Sequence, residues 1–385
     1  MSLAFPLNGK VGGSPRRFGI NFSTFSGGNG VTRKSLEIRN SSKVTSKIVM
    51  IFTDWYLIKP GRKTYILLRL FNGYVVREVF STEFFRVIDN PRILRGEAAK
   101  SLISFNKKLH KRDSDENISH IMEEDWDNLL LLDGCRYDSF SRQNTIDGQL
   151  EKRISAGSQS LEFMKENFFG KEFEDAVYIT ANPFSPQINH GTFHDTINLL
   201  PEWNEEHQTV MPETVVKATE RAISEYPNKR LLVHFMQPHY PFIGPKGQSL
   251  DHRGYQPTSE KDGLSFSVWD ELQYGVAEYK LEDVVEAYEE NLDIVLNHVS
   301  ELVPKLPGRT VISSDHGNLF GERMNPIPVR AYGHPSGLRS RELVEVPWLI
   351  IDGERKKITA EEPNSYEAVD DSIVEDRLTA LGYAE

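Results

Sequence analysis

The chain has 385 residues, 38% hydrophobic and 26% charged, the balance of a folded globular protein rather than a disordered or membrane-embedded one. Its single cysteine excludes an internal disulfide framework and a cysteine-built zinc site, so any metal must be held by Asp, Glu and His. The net charge of −11 is uneven: residues 1–83 carry 13 Lys/Arg against 4 Asp/Glu, leaving 32 basic and 52 acidic residues in a body that repels nucleic-acid phosphates.

The first 30 residues lack the apolar core of a signal peptide. The apolar runs "IVMIFTDWYLI" and "TYILLRLF" are divided by "KPGRK" and interrupted by Asp54 and Arg69, too short for a membrane span. A cytoplasmic location is expected. Residues 1–48, rich in Gly, Ser, Asn and Arg, are expected to be unstructured, and 49–83 to form two or three short strands. Residues 1–83 thus read as a basic extension, disordered or weakly structured, and 84–385 as the functional domain. "KKLHKRDSDENISH" (107–120) reads as a charged linker.

Beyond it the pattern alternates. "NLLLLD" (128–133) is an unbroken apolar run, as in a parallel strand covered on both faces. "SLEFMKENFFG" (160–170) has helical spacing, and "AVYITANP" (176–183) is a strand stopped at Asn-Pro. "MPETVVKATERAISEYP" (211–227) is a helix opened and closed by proline. "RLLVHFMQP" (230–238) is a strand and "KLEDVVEAYEENLDIVLNHVSELV" (280–303) a long amphipathic helix. "RTVISSDHG" (309–317) and "VEVPWLIID" (344–352) are strands, and 366–383 forms a closing helix. This alternation predicts an α/β fold, a doubly wound, mostly parallel sheet flanked by helices. No GxGxxG or GxxxxGK segment is present, which argues against a dinucleotide or P-loop site.

In open α/β sheets ligands bind beyond the carboxyl ends of the strands. Strand 128–133 ends in Asp133. Strand 230–236 delivers His234 and then His239, and strand 309–314 delivers Asp315 and His316. His334 follows in "YGHPSG". Two acids and several imidazoles on one edge are what a divalent cation needs. His234, inside an alternating strand, reads first as a satisfied core histidine. His190 and His194 have ligand-like spacing, but no helix is assured there and a solvated loop is the simpler reading.

The ordered set "NLLLLDGCRYDSF", "HFMQPHYPF", "VISSDHGNLFGER" and "YGHPSGLRSRELVEVPWLII" resembles the sulfatase-like branch of the alkaline phosphatase superfamily, which includes phosphodiesterases, lipoteichoic-acid synthases and phosphoethanolamine transferases. It covers roughly residues 123–352. The stretch from "VIDNPRILRGEAA" to "LGY" also resembles uncharacterised archaeal sulfatase-like proteins. The resemblance implies an alkaline phosphatase-like fold in which Asp133, Asp315 and His316 bind a metal. It implies that His239 and His334 hold the phosphate or sulfate, and that a nucleophile sits on a turn after the first strand. The ion would be Mn²⁺, Mg²⁺ or Zn²⁺. A second metal is disfavoured by Gln237, where an acid is wanted.

Cys135 departs from the sulfatase pattern C/S-x-P-x-R, because Arg136 and Tyr137 follow it. It reads as a small packing residue. The better turn is "ISAGSQSLEFM" (154–164). There Ser158 is the expected nucleophile and Ser160 the alternative, with a structural role as helix N-cap open to it. Arg136, Ser160 and Arg339 are substrate-binding candidates, with Asp138 beside Arg136.

The expected activity is metal-dependent hydrolysis or transfer of phosphate mono- or diesters, the substrate being a small-molecule or glycan-linked ester. Sulfate-ester hydrolysis is one alternative, and an inactive member that binds an anionic glycan or a partner protein is another. Loops 182–210 and 244–277 are expected to set specificity, with Tyr240, Phe242, Tyr255 and Trp269 as stacking candidates.

Overall fold

The chain divides into two units, Met1–Leu94 and Arg95–Glu385. The structure, a computed structural model, describes residues 18–27, 31–40, 52–58, 65–70, 75–78, 91–110, 118–250, 252, 256–257, 265–364 and 370–380. In the first unit β1 (Phe18–Gly27) pairs antiparallel with β2 (Val31–Asn40). The strands β3 (Phe52–Ile58), β4 (Tyr65–Leu70) and β5 (Val75–Glu78) form an antiparallel meander. The β1–β2 pair lies inside the stretch 1–48 expected to be unstructured. Phe18, Ile20 and Phe22 alternate at the strand period, a signal masked by the Gly- and Ser-rich surroundings.

The helix α1 (Pro91–His110) opens with proline and runs across the boundary between the units. The stretch from Lys107, expected to be linker, is therefore helical to His110. Nothing between Glu97 and His110 breaks a helix, and charge alone does not. Ile103 packs against Leu319, Met324 and Leu338, and Asn106 exchanges two hydrogen bonds with the backbone of Ile327 at 2.9 and 3.1 Å.

The second unit is built on a seven-stranded sheet. Its strands are β6 (Asn128–Leu132), β7 (Gln149–Ile154), β8 (Phe173–Thr180), β9 (Phe193–Asn198), β10 (Arg230–Phe235), and, after a two-residue ladder of β11 (Gln256–Pro257) with β12 (Ser265–Phe266), β13 (Thr310–Ser313). A hairpin of β14 (Leu319–Arg323) and β15 (Arg330–Gly333) precedes β16 (Glu345–Ile351), which closes the sheet. The spatial order is β7-β16-β13-β6-β10-β8-β9. Strands β13, β6, β10, β8 and β9 run parallel, and β16 is antiparallel to both its neighbours. This is the expected doubly wound α/β sheet.

The leucine run explains the centre. Leu130 and Leu132 face a core shared with α4 (Pro212–Glu225) and α7 (Leu281–Leu302), following α2 (Tyr137–Gln143) and α3 (Ser160–Asn167) in the chain. Leu129 and Leu131 face the other core, where α3 places Phe163 and Met164. All four leucines are fully buried, each contributing about 2 kcal/mol. Helix α7 buries Val284, Ala287, Tyr288, Leu292, Val295 and Val299, the stripe that its sequence period dictates. The remaining helices are α5 (Pro245–Ser249), α6 (Val268–Tyr274), α8 (Arg341–Val344) and α9 (Asp371–Ala380). Among the described residues no helix is long and apolar enough to cross a membrane.

Candidate functional site

Three adjacent strands aim their carboxyl ends at one point. Asp133 follows β6, His234 lies in β10, and Asp315 and His316 follow β13. Ser314 ties two of these ends together, since its Oγ accepts the Cys135 N–H at 2.9 Å and donates to the Leu132 carbonyl at 2.6 Å. Gly134, at φ +67°, turns the chain away at once, and His239 and His316 pass beside it.

One oxygen of each carboxylate is already committed. Asp133 Oδ2 accepts from Asn182 Nδ2 at 2.7 Å and from Ser160 Oγ at 3.2 Å. Asp315 Oδ1 accepts the backbone N–H groups of Gly134 and His316 at 3.0 and 2.9 Å. The other two oxygens, Asp133 Oδ1 and Asp315 Oδ2, are buried without a hydrogen bond. His316 Nε2 lies 3.5 Å from each of them. Its Nδ1 donates to the Gly317 carbonyl at 2.7 Å, which turns the Nε2 edge of the ring toward the two oxygens.

Three electron-rich atoms facing one another in a dry site repel unless a cation lies among them. Their charge shows the strain: burial, and then the neighbouring Asp315, push the Asp133 carboxyl well above its ordinary range. Burial also opposes ionisation of Asp315, but His316 and His234, with hydrogen bonds from Ser160 and Gly134, outweigh it and hold that carboxyl low. Asp133, Asp315 and His316 therefore fit a divalent cation, each offering one ligand atom within 4.8 Å of the others.

Around this set stand three further imidazoles. His234 Nδ1 meets the Tyr178 hydroxyl at 2.9 Å, and its Nε2 lies 3.7 Å from both Asp133 and Asp315. His239 Nδ1 donates to the Tyr240 carbonyl, leaving its Nε2 to accept from His334 Nε2 at 2.8 Å. The His334 ring sits 4.8 Å from that of His316. Burial, before any charge, lowers His234 and His239 to about 4 and His334 well below its usual range, so all three are neutral at pH 7.

No protein-family model matches the sequence, and no curated protein matches it. Among solved structures the chain is similar to the C-terminal periplasmic domain of EcEptC from Escherichia coli in complex with Zn. The identity is 13% over 59% of this chain and 72% of that chain, with a TM-score of 0.40. A second structure of that domain matches at 14% identity over the same shares, with a TM-score of 0.38. These are likenesses of backbone, and the chemistry of the site rests on its own atoms.

The two serines of the turn have separate surroundings. Ser158 Oγ donates to Glu162 Oε2 at 2.7 Å, and its N–H reaches the same oxygen at 3.1 Å. It is tied to the opening turn of α3. Ser160 is the first residue of α3, the cap position being Gln159, and its side chain caps nothing. Its Oγ lies 3.2 Å from Asp133 Oδ2 and 3.3 Å from His316 Nε2. The expected nucleophile, Ser158, is thus held by Glu162, and the serine beside the carboxylates is Ser160. The cause is the tight turn at Gly157, where the backbone N of Phe163 comes within 2.3 Å of the position a Cβ would take.

The other candidates lie elsewhere. The Arg136 guanidinium is taken up by Asp138 at 2.8 Å, Glu322 at 2.5 Å and the Asn318 carbonyl. Arg339 donates to the carbonyls of Ser155 and Ala156 and braces the serine turn. His194 sits on β9 against the Glu361 carbonyl, and His190 is exposed on the preceding turn. Tyr240, Phe242 and Trp269 pack together in a buried cluster, and Tyr255 lies outside the described residues. Cys135 is fully buried, and burial pushes its thiol well above the ordinary range.

Sequence reasoning missed Asn182 and Asn291. Asn182 follows the carboxyl end of β8 and was legible by the criterion that found Asp133. Asn291 was not: it lies mid-helix in α7 and reaches across to the carbonyls of Pro238 and His239 at 3.2 and 3.1 Å, fixing the histidine loop.

Proposed function

We propose that this chain is a metal-dependent enzyme that hydrolyses or transfers phosphate esters, with Ser160 as nucleophile. The single observation that carries the reading is the position of Ser160 Oγ between Asp133 and His316, within a buried carboxylate–imidazole set suited to one cation. Asp133, Asp315 and His316 would hold a divalent ion, which would supply charge neutralisation and acidify a serine hydroxyl. The chain's own groups do the rest. Asp133 Oδ2, 3.2 Å from Ser160 Oγ, accepts the hydroxyl proton as Ser160 Oγ forms a bond to phosphorus and the ester oxygen leaves with its electron pair. The Nε2–H of His334, shared with His239, is available to bond a phosphoryl oxygen or to follow the leaving oxygen. Water or an acceptor alcohol then takes the phosphoryl group from Ser160. A thiol-derived nucleophile is disfavoured, because Cys135 is sealed in the core against its neighbour's carbonyl.

The test is chelator-stripped protein reloaded with Mn²⁺, Mg²⁺ or Zn²⁺ and assayed on nitrophenyl phosphate mono- and diesters. Ser160→Ala is expected to lower kcat by at least about a thousandfold, whereas Ser158→Ala retains turnover within about tenfold. Phosphorylated Ser160 trapped after acid quench supports the covalent step. Turnover that ignores metal, or full activity in Ser160→Ala, overturns the reading.

A further inference from the structure

The imidazole pair does not face open solvent. His239 and His334 form part of the wall of a cleft of about 310 Å³, whose other side is built from Lys100, Ile103 and Lys107 of α1 and from Tyr332. At about 30 Å³ for a water-sized group, this is room for roughly ten such groups, the size of one small organic substituent.

The charges in the cleft are unequal in their commitments. Lys100 is paired with Asp270 at 3.0 Å and lies over the Tyr274 ring at 4.6 Å. Asp270 in turn accepts from Ser267 and is satisfied. Lys107 has no ion pair or hydrogen bond among the described residues, yet it is half-buried, and burial lowers its ammonium below the ordinary value. Among the described residues, the carboxylate whose field acts on it is Glu162, whose oxygens already accept from Ser158 and Ser336. A half-buried cation without a partner is costly to hold unless an anion comes to it. In a body carrying 52 acidic residues against 32 basic ones, such a cation is not part of a general basic surface.

We infer that the cleft receives the alcohol portion of the phosphate ester and that Lys107 binds a second anionic group there, so that the preferred substrates are esters bearing another phosphate or a carboxylate near the transferring phosphorus. This rests on the phosphate-ester reading of the site. Lys107 sets specificity and takes no part in bond making.

The experiment compares phenyl phosphate with 4-carboxyphenyl phosphate on the full, metal-loaded chain. The wild type is expected to favour the carboxylated ester in kcat/KM by at least tenfold. In Lys107→Met that preference collapses toward one, and Lys107→Arg restores most of it. Calorimetric titration with inorganic pyrophosphate and orthophosphate reads the same contact without turnover. Lys107→Met is expected to lose about tenfold in pyrophosphate affinity relative to its change for orthophosphate. If phenyl phosphate is turned over but neither comparison responds to Lys107→Met, the inference fails and the phosphate-ester reading stands. If neither ester is turned over by the metal-loaded wild type, the underlying reading fails, and the pyrophosphate titration still decides whether Lys107 is an anion site.

Discussion

At the scale of single residues the site is defined by what burial does to charge. Two carboxylates and three imidazoles are buried together, with the partly exposed His334 beside them, and Asp315 is the carboxyl held below its ordinary range. The neutral histidines have a cost in acid. An unfolded histidine titrates near 6.5, whereas His234 and His239 titrate at about 4 in the fold. Their folded values are depressed, so the stability they contribute is fully present above about 6.5 and is lost as pH falls toward 4, where the unfolded chain takes protons the native rings refuse. Urea denaturation of metal-free protein should therefore show a midpoint that is flat from pH 8 to 7 and falls steeply between 6.5 and 4. A midpoint unchanged to pH 4.5 would show that the rings are not held neutral. The same logic separates the two serines. Ser158 and Ser160 are two residues apart and chemically identical, so spacing alone could not rank them. What ranks them is Glu162, which draws Ser158 into the turn and leaves Ser160 on the carboxylate side.

At the scale of elements, the strands that carry the chemistry were legible because they are buried on both faces. An unbroken run such as "NLLLLD" has one structural solution, and the acid at its end has few others. Edge strands were not legible. β7 (Gln149–Ile154, "QLEKRI") and β9 (Phe193–Asn198, "FHDTIN") expose part of each face, and their mixed polarity reads as loop. Helix α1 was half-read, because the lysines that lead toward His110 looked like linker although they continue the helix. The turn after His316 shows how tightly an element boundary can constrain a site. Gly317 donates to the Leu343 carbonyl at 2.7 Å, and a Cβ there would stand 2.0 Å from the Glu342 carbonyl oxygen. Backbone cannot rotate away as a side chain can, so Gly317→Ala must displace either α8 or the Asp315–His316 pair. The variant is expected to lose about 2 kcal/mol of stability and at least tenfold in metal affinity, measured by thermal melts and metal titration. Wild-type affinity in a folded Gly317→Ala protein would show that the turn does not position the ligands.

At the scale of the whole molecule, the metal set is a store of unfavourable electrostatics that a cation relieves. A ligand present at a hundred times its Kd stabilises the fold by about 2.7 kcal/mol. At about 2–4 °C per kcal/mol for a large domain, Tm should rise by roughly 5–10 °C when chelated protein is reloaded. The variant Asp133→Asn makes the prediction sharper. It removes the repulsion between the carboxylates, so the chelated variant should melt at or above the wild-type temperature while losing the metal-induced rise. An Asp133→Asn protein that still shifts with metal would place the ion elsewhere.

The order of the sheet carries one more consequence. β6 lies at its middle, with β13 and β10 on either side, and the metal-ligand candidates hang from the ends of β6 and β13, with His234 beside them on β10. Fraying begins at margins, so β7 and β9 can open and close many times while the inner ladder stays shut. Asp133, Asp315 and His316 are therefore insulated from the rim, whereas Ser160 is not, because its turn follows directly on β7.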